Sequence, residues 1–317
     1  MRKNRDKGTD TIGGIMILYM IILHIQTLSH YAPISNRYVP FLFSFMMWFF
    51  YKSGMYHKVT DMKSIVKSSI KRLLIPYIVF TLIGILFGTF ITLYKSENLI
   101  DFYIGSVYQT LVMGGAFSNM PIWFLLSLFC VRIIFNHFFN CNKGMEITGV
   151  SLIIAVILAL YDVEKPPYLG NICLGLFFYG LGYYLKQIQF ERYIFIVALA
   201  LYILLYLLYP SNIDVRANHC TDGSYLGAVI AGVCAIVVIN NLSRFKLSVQ
   251  PLTYLGEHSM VYYLCHWVLL KQVQTYMTAS PEKVFLIMCL TCLVLLPIID
   301  KTIYLAKISW IIGERAR

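Results

Sequence analysis

Hydrophobic residues recur along the chain in long runs that are separated by short polar segments. An apolar run of about 20 residues is long enough to cross ~30 Å of hydrocarbon as a helix. Runs of this kind cover segments 11–28, 39–56, 73–94, 121–139, 146–161, 168–186, 192–209, 223–241, 256–275 and 284–305. The pattern predicts an all-α fold, a polytopic membrane helix bundle of about ten transmembrane helices, with the fifth span the shortest.

The composition supports the same class. Of 317 residues, 59% are hydrophobic and 13% are charged, which is more apolar side chain than a soluble domain can bury. No soluble domain or repeat interrupts the apolar runs, so we expect a single membrane domain over residues 1–317. The first run follows a basic stretch but lacks a small-x-small cleavage site, and we expect it to remain as a helix of the mature protein.

The distribution of lysine and arginine predicts the orientation, because cytoplasmic loops retain basic residues. With the N-terminus inside, twenty of the 26 basic residues lie at the cytoplasmic side. This bias favours both termini in the cytoplasm, and it explains most of the net charge of +11 as topology rather than nucleic-acid binding. The basic residues placed outside are Arg37, Lys95, Lys165, Arg216, Lys271 and Lys283.

The eight cysteines lie mostly inside apolar runs, so no disulfide framework is visible. Cys289 and Cys292 form a C-x-x-C in the last run. A zinc site there needs two further ligands, and none is evident in the sequence. We therefore interpret this pair as packed thiols and expect no metal.

Two connections are longer than ordinary loops. The inner one, residues 52–73, has Lys63, Lys67 and Lys71 at four-residue intervals, which aligns them on one side of a helix at the membrane surface. Such a stripe either anchors to anionic lipid headgroups or binds a phosphorylated ligand. The outer one, residues 95–120, has few charges, and we expect a functional loop because loops of this length are uncommon as mere connectors.

Two histidines lie inside apolar runs. His24 is about thirteen residues into the first predicted helix and His266 about ten residues into the ninth, and both helices run from inside to outside. At 1.5 Å per residue, the two side chains come within ~5 Å of the same depth. The pair is either a packed contact between helices or a shared polar site in which a histidine acts as a general base.

Several segments resemble, in order, the motifs of the acyltransferase 3 membrane proteins, which transfer acyl groups, usually acetyl, to cell-surface sugars. Asp10 stands fourteen positions before His24, as in the first-helix signature of that family. The other similar segments are FFYKSG (49–54), KRLLIPY (71–77), PIWFLLSLF (121–129), GLFFYGLGYYLK (175–186) and YLGEHSMVYYLCH (254–266). Together they extend over nearly the whole chain.

The resemblance implies a multi-pass O-acyltransferase of the bacterial cytoplasmic membrane, with acetyl-CoA or another acyl-CoA as donor substrate and no bound cofactor. The acceptor would be a sugar hydroxyl of an exopolysaccharide or lipid-linked glycan in the cell envelope. A hydroxyl attacks a thioester poorly until a base takes its proton, which is the role implied for His24. The other catalytic candidates are His266 and Asp10, and the substrate-binding candidates are Lys71, Arg72, Arg132, Trp123 and Ser259.

Some of these residues have a second interpretation. Lys71 and Arg72 would pair with the phosphates of coenzyme A or only anchor the chain at the inner boundary. Asp10 would cap its helix or orient a neighbour. The family usually has an arginine or lysine eleven positions before the histidine, where this chain has Gly13. We expect Arg132 either to extend to the inner headgroups or to replace that cation at the donor.

Two functions of other classes remain open at this stage. A transporter or flippase for a lipid-linked glycan would show broken helices or internal repeats, and neither is clear in the sequence. The absence of the basic residue at Gly13 also fits a non-catalytic relative of the transferase fold.

Overall fold

The computed structural model describes residues 6–33, 44–113, 119–163, 166–186, 192–208, 210–243 and 248–314. In these ranges the chain forms thirteen α-helices and one antiparallel hairpin of two short strands. The helices are α1 Lys7–Ser29, α2 Phe45–Met55, α3 Met62–Ser69, α4 Ile75–Tyr94, α5 Leu99–Met113, α6 Trp123–Asn140, α7 Gly144–Leu160, α8 Pro167–Leu185, α9 Arg192–Leu208, α10 Tyr225–Ser243, α11 Gln250–Glu257, α12 Ser259–Tyr276 and α13 Pro281–Leu305. The strands are β1 Asn212–Asp214 and β2 His219–Asp222.

The helical membrane fold is confirmed. Each of the ten predicted apolar runs contains a helix. By length and composition, five helical stretches of the described chain are able to cross a membrane. The number of crossings and the sides of the termini stay predictions. The five stretches are Lys7–Ser29, Met62–Tyr94, Met120–Asn140, Tyr225–Leu242 and Pro281–Leu305.

Helix α1 begins earlier than the apolar run does. Asp6 is its N-cap, and its carboxylate accepts hydrogen bonds from Gly8 N at 3.0 Å and from Thr9 Oγ1 at 2.6 Å. A carboxylate at this position satisfies the free N–H groups of the first turn. The prediction that Asp10 caps the helix is therefore wrong, because Asp10 lies inside the helix and is buried.

The inner connection is helical and joins a predicted span. Asp61 caps α3 by accepting from Ser64 N at 2.9 Å, and a π-helical turn, Ile70–Leu74, joins α3 to α4. The helical stretch Met62–Tyr94 is therefore continuous over 33 residues. Lys63 and Lys67, on α3, are exposed, which agrees with the predicted basic stripe.

The outer connection is not the loop that we expected. Most of it forms α5, and its large hydrophobic residues Ile100, Ile104, Val107 and Leu111 are exposed. Their spacing of three and four residues places them on one side of the helix. The prediction failed because this apolar stripe is interrupted by polar residues and is too short to be recognised as a span.

Contacts divide the chain into two compact units. Unit 1 comprises Met1–Tyr38, Lys71–Trp123 and Phe245–Arg317, and unit 2 comprises Val39–Ile70 and Phe124–Arg244. Unit 1 contains α1, α4, α5, α11, α12 and α13, and unit 2 contains the hairpin and nearly all of the other helices. The single membrane domain stays a prediction.

In unit 1, α1 crosses α11 at backbone distance. A β-carbon at Gly14 would overlap the Leu252 carbonyl, and one at Gly256 would overlap the Asp10 carbonyl. Small residues permit this approach, as is usual where membrane helices pack closely. The hydroxyls of Thr11 and Thr253 hydrogen-bond at 2.7 Å in the same contact.

A helix break lies at the start of the predicted ninth span. Helix α11 ends at Glu257, and α12 begins at Ser259, with His258 between them at φ −103° and ψ 14°. The predicted run 256–275 is therefore one continuous helix from Ser259 onward. Neither proline nor glycine marks residue 258, and the tertiary partners of the His258 side chain are described below.

Unit 2 uses the same kind of close packing. A β-carbon at Gly54 in α2 would overlap the Tyr179 carbonyl in α8, and one at Gly182 would overlap the Tyr51 carbonyl. In the hairpin connection, the Asp214 carboxylate accepts from the backbone N–H of the second and third residues after it. This Asx-type turn fixes the short hairpin.

Candidate active site

The structure brings the two histidines of the apolar runs into direct contact. His24 of α1 and His266 of α12 both belong to unit 1, and His24 Nδ1 lies 2.8 Å from His266 Nε2. Their rings are nearly parallel, with 5.1 Å between centroids. His266 is completely buried, and His24 is partly accessible. The expectation that they share one depth is confirmed.

The hydrogen bonds define the tautomer of each ring. His266 Nδ1 lies 2.9 Å from the Tyr262 carbonyl, which can only accept, so this nitrogen carries the proton. With His266 neutral, its Nε2 is an acceptor, and His24 Nδ1 must donate to it. His24 Nε2 then has a free lone pair, and no partner for it is found in the described chain. A lone pair held in this way is what a general base requires.

Trp267 contacts His24, and Lys271 lies beyond Trp267; the sequence had indicated neither residue for this site. The Trp267 ring meets the His24 ring edge-to-face, with centroids 5.0 Å apart. Its Nε1–H is buried and has no hydrogen-bond partner among the described residues. One turn further along α12, Lys271 Nζ lies 5.9 Å from the centre of the Trp267 ring and donates to Gln274 Oε1 at 2.8 Å.

Helices α1 and α12 are joined a second time, beyond the histidines. Gln274 Nε2 donates to the Leu28 carbonyl in the last turn of α1 at 2.9 Å. This contact and the histidine pair hold the same two helices at two levels. The orientation of His24 is therefore supported by the backbone of α1 as well as by its own hydrogen bond.

Asp10 and Ser259 lie away from this pair. Asp10 precedes His24 by fourteen residues of α1, about 21 Å along the axis, and its backbone carbonyl contacts Gly256. Ser259 is the first residue of α12 and is half-buried. Direct participation of Asp10 at His24 would need a ligand that spans this distance, and the assigned roles of Asp10 and Ser259 stay predictions.

The other substrate-binding candidates of unit 1 lie on two segments. Lys71 and Arg72 are exposed in the π-helical turn before α4, and Trp123 is buried at the start of α6. The turn before Trp123 is attached to α12, because Tyr263 donates to the Pro121 carbonyl. This hydrogen bond connects the turn before Trp123 to the helix that carries His266. The roles of Lys71, Arg72 and Trp123 stay predictions.

Arg132 has partners within unit 2. Its guanidinium interacts with the Tyr179 hydroxyl, which lies 2.7 Å from His57 Nδ1. His57 follows α2 and is buried, and burial together with the charges of Arg132 and Lys186 lowers its pKa to about 4. The predicted role of Arg132 opposite Gly13 stays a prediction.

Long apolar helices together with a hydrogen-bonded histidine pair inside unit 1 define a polytopic membrane protein with a candidate acid–base site. The family comparison agrees with the resemblance seen in the motifs. Residues 7–300 match the family model described as an acyltransferase domain, and the chain therefore belongs to this acyltransferase family. It is a membrane acyltransferase, an enzyme that transfers groups other than amino-acyl groups. No curated protein and no solved structure gives a significant match.

Proposed function

We propose that this acyltransferase moves an acyl group, in the first place acetyl, from cytoplasmic acyl-CoA to a sugar hydroxyl of a cell-envelope polysaccharide or lipid-linked glycan. The observation that carries the proposal is the hydrogen bond between His24 and His266. It supports a base at His24 whose reactive nitrogen is free and whose other nitrogen is engaged.

In the proposed reaction, His24 Nε2 takes the proton of the acceptor hydroxyl as its oxygen attacks the thioester carbonyl carbon. The C–O bond forms, and negative charge develops on the carbonyl oxygen. The tetrahedral intermediate then collapses, and the C–S bond breaks. The coenzyme A thiolate leaves and receives the proton from the His24 imidazolium, so the products are an ester and free coenzyme A.

His266 acts as a positioning residue in this mechanism. Its Nε2 holds the Nδ1–H of His24, which fixes the tautomer and the ring orientation. When His24 becomes protonated at Nε2, both of its nitrogens carry protons, and the bond to His266 remains in place. The Tyr262 carbonyl in turn holds the proton of His266 on Nδ1.

Trp267 supports the proposal as the donor to the developing charge. Its buried Nε1–H has no partner in the described part of the chain, and an unsatisfied buried donor next to the base is available to a substrate oxygen. Lys271 adds a positive charge 5.9 Å from the centre of the Trp267 ring. In this proposal the Trp267 N–H and the Lys271 ammonium group take the place of the basic side chain that Gly13 does not provide.

The test is acyl transfer by the purified protein in neutral-lipid nanodiscs. With acetyl-CoA labelled in the acetyl group, we expect His24→Ala to lower both transfer to an envelope glycan fraction and thioester hydrolysis by about 10²–10⁴-fold. His137→Ala is the control, because His137 is an exposed histidine near the end of α6. An accumulated and monodisperse His24→Ala protein with a normal rate would refute the role of His24.

A further inference from the structure

A second polar site lies at the amino end of α12, where the helix break exposes side chains to a cavity of about 410 Å³. The cavity is lined by α11, the break, the end of α13 and the turn that follows, all in unit 1. The lining side chains that matter here are Tyr254, His258, Asp300, Lys301, Tyr304 and Lys307. None of these residues is among the site candidates predicted from the sequence.

A buried carboxylate orients the histidine of this cavity. Asp300 is 1% exposed, and both of its oxygens lie 2.9 Å from His258 Nδ1. A carboxylate only accepts, so Nδ1 donates, and Asp300 also accepts from the Tyr254 hydroxyl. The Tyr254 ring stacks on His258 with 4.3 Å between centroids. His258 Nε2 is the nitrogen left for a ligand, and it has no partner in the described ranges.

The charge around the cavity favours an anion. Lys301 and Lys307 are exposed at its edge, whereas Asp300 is already engaged by two donors. The Glu314 carboxylate accepts from the Tyr304 hydroxyl at 2.7 Å. In addition, the backbone of Arg72 packs against Gly313, four residues after Ser309 in the cavity wall. Among the side chains that line the cavity, two lysines therefore stand against one carboxylate, which is already hydrogen-bonded.

The size and walls of the cavity indicate more than a simple ion. Small-molecule sites usually measure about 300–1,000 Å³, and the present volume lies in this range. The walls include the rings of Tyr254 and Tyr304, which provide surface for an aromatic base, while lysine ammonium groups pair with phosphate. We propose that this cavity binds a phosphorylated nucleoside, with Lys301, Lys307 and His258 Nε2 as donors to the phosphate.

This proposal rests on the proposed function, in which the donor is an acyl-CoA that carries the phosphorylated nucleoside. His258 precedes His266 by eight residues, about 12 Å along the axis of α12. Coenzyme A carries a phosphorylated adenosine at the end opposite its thiol. The cavity is therefore placed to hold that end of the donor while the thioester approaches His24. The predicted topology places this end of α12 at the cytoplasmic side.

Equilibrium binding of adenosine 3′,5′-bisphosphate to the protein in neutral-lipid nanodiscs tests the site without catalysis. We expect Lys301→Gln/Lys307→Gln to weaken binding roughly tenfold or more, and Lys301→Arg/Lys307→Arg to retain it. Lys283→Gln is the matched control, an exposed lysine at the other end of α13. His258→Gln should also weaken binding, whereas His24→Ala should bind as the wild type does.

Two results would overturn the proposal. Absence of bisphosphate binding to the wild type would exclude a nucleoside site, and displacement of the bisphosphate by phosphatidylglycerol vesicles but not by coenzyme A would assign the cavity to a lipid headgroup. The test is separable from the proposed function. A loss of transfer in His24→Ala with unchanged binding supports both, whereas retained transfer with lysine-dependent binding supports the cavity alone.

Discussion

Replacement of His266 offers the sharpest test of the histidine pair. Asn and Gln each place a polar group near the position of one of the two ring nitrogens of His266. The amide nitrogen of Asn is close to the position of Nδ1 and can still donate to the Tyr262 carbonyl, but Asn has no group at Nε2. Gln extends far enough for its amide oxygen to accept from His24 Nδ1. His266→Asn therefore removes the contact with His24, and His266→Gln retains it.

The expected effect follows from the unpaired donor. Loss of the 2.8 Å bond leaves a buried N–H of His24 without an acceptor, at a cost of ~1–3 kcal/mol. The ring relieves this cost by changing tautomer or rotating, and either change removes the free lone pair from its position. Since ~1.4 kcal/mol corresponds to a tenfold change in rate, kcat of His266→Asn should fall roughly 5- to 150-fold. His266→Gln should stay within about 5-fold of the wild type.

The assay measures kcat and KM for acetyl-CoA separately, on variants purified in equal amounts and monodisperse by size exclusion. A positioning role predicts a loss in kcat with little change in KM, and recovery in the Gln variant. Equal rates for the Asn and Gln variants would refute the tautomer argument. A loss of accumulation in both would indicate that His266 serves packing.

Further expectations concern other parts of the two units. Trp267→Phe keeps the ring but removes the indole N–H, so kcat should fall about 10²–10³-fold with normal accumulation, and an unchanged kcat would exclude the donor role. Gly14→Ala places a methyl group against the Leu252 carbonyl, and this overpacking should cost ~1–3 kcal/mol of stability. The apparent Tm should therefore fall, which thermal size exclusion would measure. The His57 pKa of about 4 lies below ~6.5 for a free imidazole. As the pH falls, the unfolded state therefore takes up this proton before the folded state does. The stability that His57 contributes is complete above pH ~6.5 and is lost as the pH falls towards 4; the Tm of His57→Gln should decline less over that window, and parallel curves would contradict the sign. A cysteine at Lys63 should resist an impermeant thiol reagent in intact cells, and labelling there would reverse the predicted topology.

The sequence predicted the features that depend on local periodicity and depth. The rise per residue was sufficient to place His24 and His266 at one level, because both positions are counted along regular helices. The apolar runs predicted the helices for the same reason. Gly14 and Gly256 have no such signal, since a glycine in an apolar run does not reveal which backbone will contact it.

The features that the sequence did not predict depend on long-range contacts. Asp300 lies 42 residues after His258, and no motif joins them, so the carboxylate–imidazole pair is visible only in three dimensions. Trp267 is adjacent to His266, yet its orientation towards His24 depends on how α1 crosses α12. The capping role of Asp6 had a sequence signal, an aspartate shortly before the apolar run, which the interpretation of Asp10 overlooked.

The hydrogen bonds of α1 to the later helices also set an order of assembly. Thr11 pairs with Thr253 and His24 with His266, each across 242 residues of chain. At a synthesis rate of about 5–20 residues per second, α1 exists for roughly 12–50 seconds before these partners have been made. During this interval its imidazole lacks the ring that fixes it. The candidate base is therefore assembled only when the last part of the chain is inserted, so a nascent or truncated chain cannot begin acyl transfer early.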